Sequence, residues 1–247
     1  CGTGFGFSVE EEEVSKLPEV PAIKSAQGNA KFVIEDSKAG WADSVKDLMG
    51  SLYKGQNIYF DYSKIRGEGA RLMTMGGRAS GPAPLVKLHD FIRETMHNAQ
   101  GRKITTLEAH DICNQIAEIV VVGGVRRSSQ ISLSDLTDKE MRHAKEWPFP
   151  IKRAMANNSA IYREKPSAAD FLIEWGALAT SGTGERGIFN LQAAQAKSPS
   201  RRYAPKIQGT NPCGEIMLRD MEFCNLSEVV VREDDDLDSL LDKVETA

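Results

Sequence analysis

Segments of helical period and segments of strand length take turns along this chain, and that alternation constrains its fold more than any other feature. The clearest helix runs from Thr105 to Val122, with Leu107, Ile112, Ile116 and Ile119 at helical spacing, Thr106 as its cap and Gly123-Gly124 as its stop. A strand of alternating character follows from Val125 to Leu133. Further helices are predicted from Trp41 (Val45, Leu48, Met49, Leu52), over 84–98 (Leu85, Leu88, Phe91, Ile92), and over 136–146, 167–180 and 237–247. Strands are predicted at 32–36, 58–62, 159–162, 188–190, 216–218 and 226–231. Residues 2–9 read as loop then strand, Glu10 to Glu13 as a solvated acidic face, and 17–30 and 198–209 as loops. The pattern predicts an α/β fold with a mostly parallel sheet or barrel.

Bulk chemistry narrows the function classes. A net charge of −4, 40% hydrophobic residues and 27% charged residues describe an ordinary globular chain. Nothing in that balance points to a nucleic-acid or membrane surface. No apolar run reaches the roughly 18 residues of a membrane span, and no signal pattern opens the chain, so the cytoplasm is the expected compartment. The four cysteines, Cys1, Cys113, Cys213 and Cys224, include no Cys-x-x-Cys pair, which argues against a zinc ribbon, a thioredoxin motif or a disulfide scaffold. A start at Cys1 and an end inside a predicted helix suggest a segment of a longer protein. Cys1 fits the first residue after a removed intein and equally an ordinary gene boundary.

Two motifs compete for the chemistry. Gly182-Thr-Gly184-Glu-Arg-Gly187 satisfies the dinucleotide pattern but follows a helix and leads toward a strand, the reverse of the context that pattern needs. Asn211-Pro212-Cys213-Gly214-Glu215 places an amide, a thiol and a carboxylate at alternate positions. In an extended strand or loop, alternate residues point the same way, so the three side chains can converge on one ligand. The flanking Pro and Gly argue against a helix. A thiol so placed serves as a nucleophile or a radical site, or is simply a buried loop cysteine. Cys224 follows eleven residues later and brings a second thiol within reach of redox chemistry. A thiol hydrolase would need a histidine beside Cys213, and His89, His97, His110 and His143 all fall in predicted helices upstream.

Asn-Pro-Cys-Gly-Glu-Ile followed by Cys224-Asn-Leu-Ser-Glu resembles the active-site strand and finger loop of cobalamin-dependent ribonucleotide reductases. The loop Gly76-Gly77-Arg78-Ala79-Ser80-Gly81-Pro82 is similar to the family segment linking the specificity-effector site to the substrate base. Cys1-Gly-Thr-Gly-Phe-Gly-Phe-Ser-Val, Asp36-Ser-Lys-Ala-Gly-Trp41, Gly123-Gly-Val-Arg126-Arg127-Ser-Ser129 and Asn157-Asn158-Ser159 also resemble family sequence, in order along the chain.

The resemblance implies part of a ten-stranded α/β barrel of the ribonucleotide reductase and glycyl-radical type, with residues 1–247 forming one partial domain. It implies adenosylcobalamin as radical source, a thiyl radical on Cys213 that removes the ribose 3′ hydrogen, and Glu215 as the base for the 3′-hydroxyl proton. It further implies Asn211 on a ribose hydroxyl, Cys224 as one member of a redox pair, and Gly76, Gly77, Arg78, Ala79, Ser80 and Gly81 as the substrate and effector loop. The implied partners are a ribonucleotide, deoxynucleotide effectors and a thioredoxin-type reductant; the loop is closer to the monomeric triphosphate reductases.

The family's partner for Cys224 belongs upstream of the segment that Cys1 resembles, and most cobalamin contacts and the phosphate-binding turn belong beyond Ala247. Cys113 is expected to be structural. Arg126, Arg127, Arg201, Arg202 and Lys206 are expected near the site and suit phosphate or plain solvated surface. A nucleotide-binding piece without chemistry stays open as the rival reading.

Overall fold

The computed structural model describes residues 3–24, 31–72, 77–121 and 129–247. A parallel sheet organises the molecule, with strands β1 (Gly4–Ser8), β4 (Ser129–Asp135), β5 (Ala156–Tyr162) and β6 (Gly187–Asn190) side by side in that order. All three pairings are parallel, with Phe7 opposite Ser132, Leu133 opposite Ser159, and Ile161 opposite Phe189. Parallel neighbours need crossover connections. The short helix α5 (Lys139–Arg142) lies between β4 and β5, and α6 (Ala168–Ser181) between β5 and β6.

The segment between β1 and β4 holds α1 (Glu11–Val14), the small parallel pair β2 (Lys31–Val33) and β3 (Tyr59–Asp61), and the helices α2 (Lys38–Leu52), α3 (Ala83–Asn98) and α4 (Thr106–Val121). Leu48 and Leu52 of α2, and Leu85, Leu88, Ile92 and Met96 of α3, are fully buried at its centre. A second core covers the other sheet face, where Ile131, Leu133, Ile161 and Phe189 pack with Leu191 of α7 (Leu191–Lys197) and Ile207. The antiparallel pair β7 (Ile207–Thr210) and β8 (Met217–Arg219) follows, and α8 (Leu237–Thr246) ends the described chain.

Strand alternation makes one face of the sheet polar. Gln130, Ser132 and Ser134 alternate with Ile131 and Leu133 along β4 and are all buried. Arg186 of the loop before β6 donates to Ser134 Oγ at 2.8 Å and to both oxygens of Glu174 at 2.6 and 2.9 Å. Arg142 adds a third bond to Glu174 at 2.7 Å. Burial pushes the Glu174 carboxyl up, but the bonds from Arg186 and Arg142 outweigh it and hold the group below its ordinary value. Glu174 is the buried residue of α6, while Phe171, Leu172, Ile173 and Trp175 of the same helix are exposed.

The helix expectations at 41–52, 84–98, 167–180 and 237–247 correspond to α2, α3, α6 and α8. Several local expectations need correction. Thr105, not Thr106, caps α4: its hydroxyl accepts from Glu108 N at 3.1 Å while the Glu108 carboxylate accepts from Thr105 N at 2.8 Å. Thr106 instead donates to Asp138. Glu10 is not solvated; it is buried and receives two bonds from Arg163 at 2.8 and 2.9 Å. The helix at 136–146 is only the four residues of α5, started by Asp138, whose side chain accepts from Met141 N. Residues 226–231 form no strand, and Leu226, Val230 and Val231 are exposed. Within 198–209, two 3-10 turns at Ser200–Arg202 and Ala204–Lys206 precede β7. Helix α7 had no signal beyond its cap, Asn190, which accepts from Ala193 N at 2.8 Å. The Gly123-Gly124 stop, the strand start at 125–128 and Cys1 lie outside the described residues.

Candidate active-site hairpin

Residues 211–216 form the tight turn that joins antiparallel β7 to β8. The extended geometry expected for Asn211 to Glu215 is therefore corrected to a turn, for a reason held in the residues themselves. The Asn211 side-chain oxygen accepts from Gly214 N and from Ile216 N, each at 3.1 Å, and Asn211 N donates to Ile216 O at 3.1 Å. Gly214 adopts φ +85°, which a residue with a Cβ resists. Asn211 is consequently buried, whereas Cys213 and Glu215 are exposed. A Cβ built on Gly214 would meet nothing within 4 Å, so the tip is open beside the Cys213 thiol.

The hairpin lies across the apolar face of the sheet, and glycines admit it. A Cβ on Gly6 of β1 would stand 2.5 Å from the Thr210 carbonyl oxygen, and one on Gly4 would stand 3.0 Å from the Pro212 ring. Gly4 also pairs through its backbone with Cys224, N to O at 2.9 Å and O to N at 2.6 Å. Cys224 is buried there, and its Cβ is 3.7 Å from the position of a Gly4 Cβ. The start of β1 thus brings Pro212, next to Cys213, and Cys224 to one place. From β5, the Asn157 carboxamide donates to the Pro212 carbonyl at 2.9 Å. Gly4, Gly6 and Asn157 had no assigned role in the sequence; the alternating glycines of Gly-Phe-Gly-Phe are the one signal of a close backbone approach.

The other singled-out residues fall elsewhere. Gly76, Arg126 and Arg127 lie outside the described residues. Gly77, Arg78, Ala79, Ser80 and Gly81 fold back on 67–72: Ala79 N donates to Ala70 O at 2.7 Å, and Arg78 donates to Gly69 O at 2.9 Å. Ser80 Oγ donates to Gly81 O, and Gly81 takes φ +69° just before α3. Among the described residues, no hydrogen bond or ion pair joins 77–82 to the turn 211–216. Arg202 donates to Met217 O and pairs with Glu222 at 3.5 Å, bracing the hairpin base, and Lys206 stacks over Tyr203. Arg201 is exposed. Burial pushes the Cys113 thiol up to about 11, which keeps it protonated at neutral pH. The Gly182-x-Gly184-x-x-Gly187 pattern spans the loop from α6 to β6, with Gly182 as a left-handed helix cap, so it has no phosphate-binding context.

Comparison with known proteins adds the following. A family profile described as B12-dependent ribonucleotide reductase, insertion domain, matches residues 17–96, and one described as ribonucleotide reductase, barrel domain, matches 125–246. The chain is 32% identical over 233 residues to the adenosylcobalamin-dependent ribonucleoside-triphosphate reductase of Euglena gracilis, covering 92% of this chain and 31% of that protein. It is 29% identical over 272 residues to the protein of the same description from Lacticaseibacillus paracasei, covering 92% of this chain and 36% of that protein. It therefore spans about a third of the length of these relatives. A crystal structure of a B12-dependent (class II) ribonucleotide reductase matches with a TM-score of 0.74 and 25% identity, over 87% of this chain and 35% of that one.

Proposed function

Because this chain belongs to the B12-dependent ribonucleotide reductase family, we propose that it contributes the radical-bearing hairpin of an enzyme that reduces ribonucleoside triphosphates to 2′-deoxyribonucleotides. The observation that carries this reading is the exposed thiol of Cys213 at the open tip of a turn fixed on all sides, eleven residues before a second thiol anchored beside the same turn. Cys213 is exposed at the tip, so the sulfur is reachable from outside the turn. Adenosylcobalamin, when bound, supplies the radical that Cys213 then carries.

In this reading the Cys213 thiyl takes the ribose 3′ hydrogen and becomes a thiol. Glu215, exposed two residues on, accepts the 3′-hydroxyl proton. The Asn211 oxygen is spent on the turn, so its amide nitrogen is the part that addresses a ribose hydroxyl. The 2′-hydroxyl, protonated by a thiol of the pair that contains Cys224, leaves as water, and the sugar then needs two electrons. Cys224 and a partner cysteine supply them and become a disulfide, and Cys213 returns its hydrogen to the 3′ carbon. A thioredoxin-type dithiol restores the pair by exchange. Deoxynucleotide effectors act through the loop at 76–81. No helix among the described residues is long and apolar enough to cross a membrane, and the cytoplasm suits the thiol chemistry.

The test compares the full reading frame carrying this chain with its Cys213→Ser and Cys224→Ser variants, assayed for triphosphate reduction with adenosylcobalamin and a dithiol. Reduction is expected in the parent and abolished in Cys213→Ser, with multiple turnovers lost in Cys224→Ser. Reduction surviving in Cys213→Ser would refute the assignment. A folded but inactive parent would favour the nucleotide-binding reading without chemistry.

A further inference from the structure

Asn157 is, among the described residues, the one side chain outside the hairpin that hydrogen-bonds to the turn 211–216. It stands at the start of β5, opposite Ile131 of β4 and two residues before the pairing with β6 begins at Ser159. Its carboxamide nitrogen lies 2.9 Å from the Pro212 carbonyl oxygen, the acceptor of the peptide unit that leads into Cys213. The pyrrolidine ring already fixes φ at Pro212. The remaining freedom there is ψ, which swings the Pro212–Cys213 peptide plane and with it the Cys213 side chain. A bond to that carbonyl removes this freedom.

The other flank of Cys213 is held independently, because Asn211 grips Gly214 N and Ile216 N. Below, Gly6 admits the Thr210 backbone to a separation no side chain would allow, and Gly4 lets the Pro212 ring pack tightly on β1. We infer that Asn157 is a positioning residue for Cys213: by donating to the Pro212 carbonyl it sets the direction in which the sulfur leaves the turn. The inference rests on reading Cys213 as the radical residue. Hydrogen abstraction needs the reacting atoms in near-contact geometry, and a displacement of about 1 Å costs up to about hundredfold in rate. A positioning group on a strand held in the sheet meets that demand better than one on a loop.

The test uses the full reading frame carrying this chain, as parent, Cys213→Ser, Asn157→Asp and Asn157→Ala. Asn157→Asp keeps the size of the side chain but sets a carboxylate against a carbonyl; Asn157→Ala removes the donor without adding charge. Both are expected to lower kcat for triphosphate reduction by about tenfold or more, with KM within about twofold of the parent. In the cofactor-free protein, amide hydrogen exchange at Gly214 and Ile216 is expected to accelerate about tenfold, with the β4 and β5 ladders unchanged. A kcat within twofold of the parent in both variants overturns the inference. So does a rise in KM in place of the fall in kcat, or faster exchange spread along β4 and β5. Activity surviving in Cys213→Ser would instead sink the functional reading and the catalytic consequence with it, while the exchange data still decide whether Asn157 holds the turn.

Discussion

His89 and His110 are both fully buried, and their hydrogen bonds define neutral rings. Ser44 Oγ donates to Trp41 O at 2.7 Å, so it accepts from His89 Nε2, and Tyr62 OH donates to His89 Nδ1 at 2.7 Å. His110 Nε2 accepts from Asn114 at 2.7 Å. Burial, reinforced by Arg93, lowers His89 to about 4, and burial lowers His110 to about 4 against the favourable pull of Asp111. The unfolded chain takes up these protons near 6.5, so the stabilisation is complete above that pH. It drains away as pH falls from 6.5 to about 4, by about 3 kcal/mol for each histidine. Urea denaturation between pH 7 and 4.5 is expected to show this slope, and His89→Asn to reduce it; an unchanged slope in the variant would contradict the assignment. At the same scale, Arg186→Met removes two of the three bonds to the buried Glu174 carboxylate, leaving only Arg142, and is expected to cost about 3 kcal/mol, measured by the same denaturation.

Elements with a strong period are legible in the sequence, and those built by specific contacts are not. Helices α2, α3 and α4 announce themselves because their apolar residues recur on one stripe over three or more turns. The turn at 211–216 does not, since its shape comes from the Asn211 oxygen reaching two amides and from the positive φ of Gly214. The same residues read as an extended run put Cys213 and Glu215 correctly in the chain but not in space. The cap of α4 slips by one residue because Thr105 and Thr106 are both capping types, and only the bond to Glu108 selects Thr105. Gly6→Ala tests the seat of the hairpin: the added methyl lies 2.5 Å from a backbone oxygen, which cannot rotate away. It is expected to lower stability by about 1–3 kcal/mol and to reduce activity as β7 shifts, read by thermal melting and assay. A fully active Gly6→Ala protein would show that the hairpin tolerates displacement.

As a whole molecule, the chain combines a helical unit and a parallel sheet that carries the hairpin, and the barrel-domain profile over 125–246 bears out the α/β barrel expectation. The family resemblance spread over short motifs along nearly the whole sequence is borne out by relatives aligned over 92% of the chain. A partner for the proposed redox role of Cys224 is not legible in the sequence: Cys213 is exposed at the turn, Cys113 lies in α4, and Cys1 lies outside the described residues. The central claim is that Cys213 carries the unpaired electron. Freeze-quenched electron paramagnetic resonance of the full reading frame, mixed with adenosylcobalamin, substrate and effector, tests it most directly. The account predicts a sulfur-centred signal that narrows with β-deuterated cysteine, persists in Cys224→Ser and is lost in Cys213→Ser. A signal with the same cysteine-dependent narrowing in Cys213→Ser would contradict it.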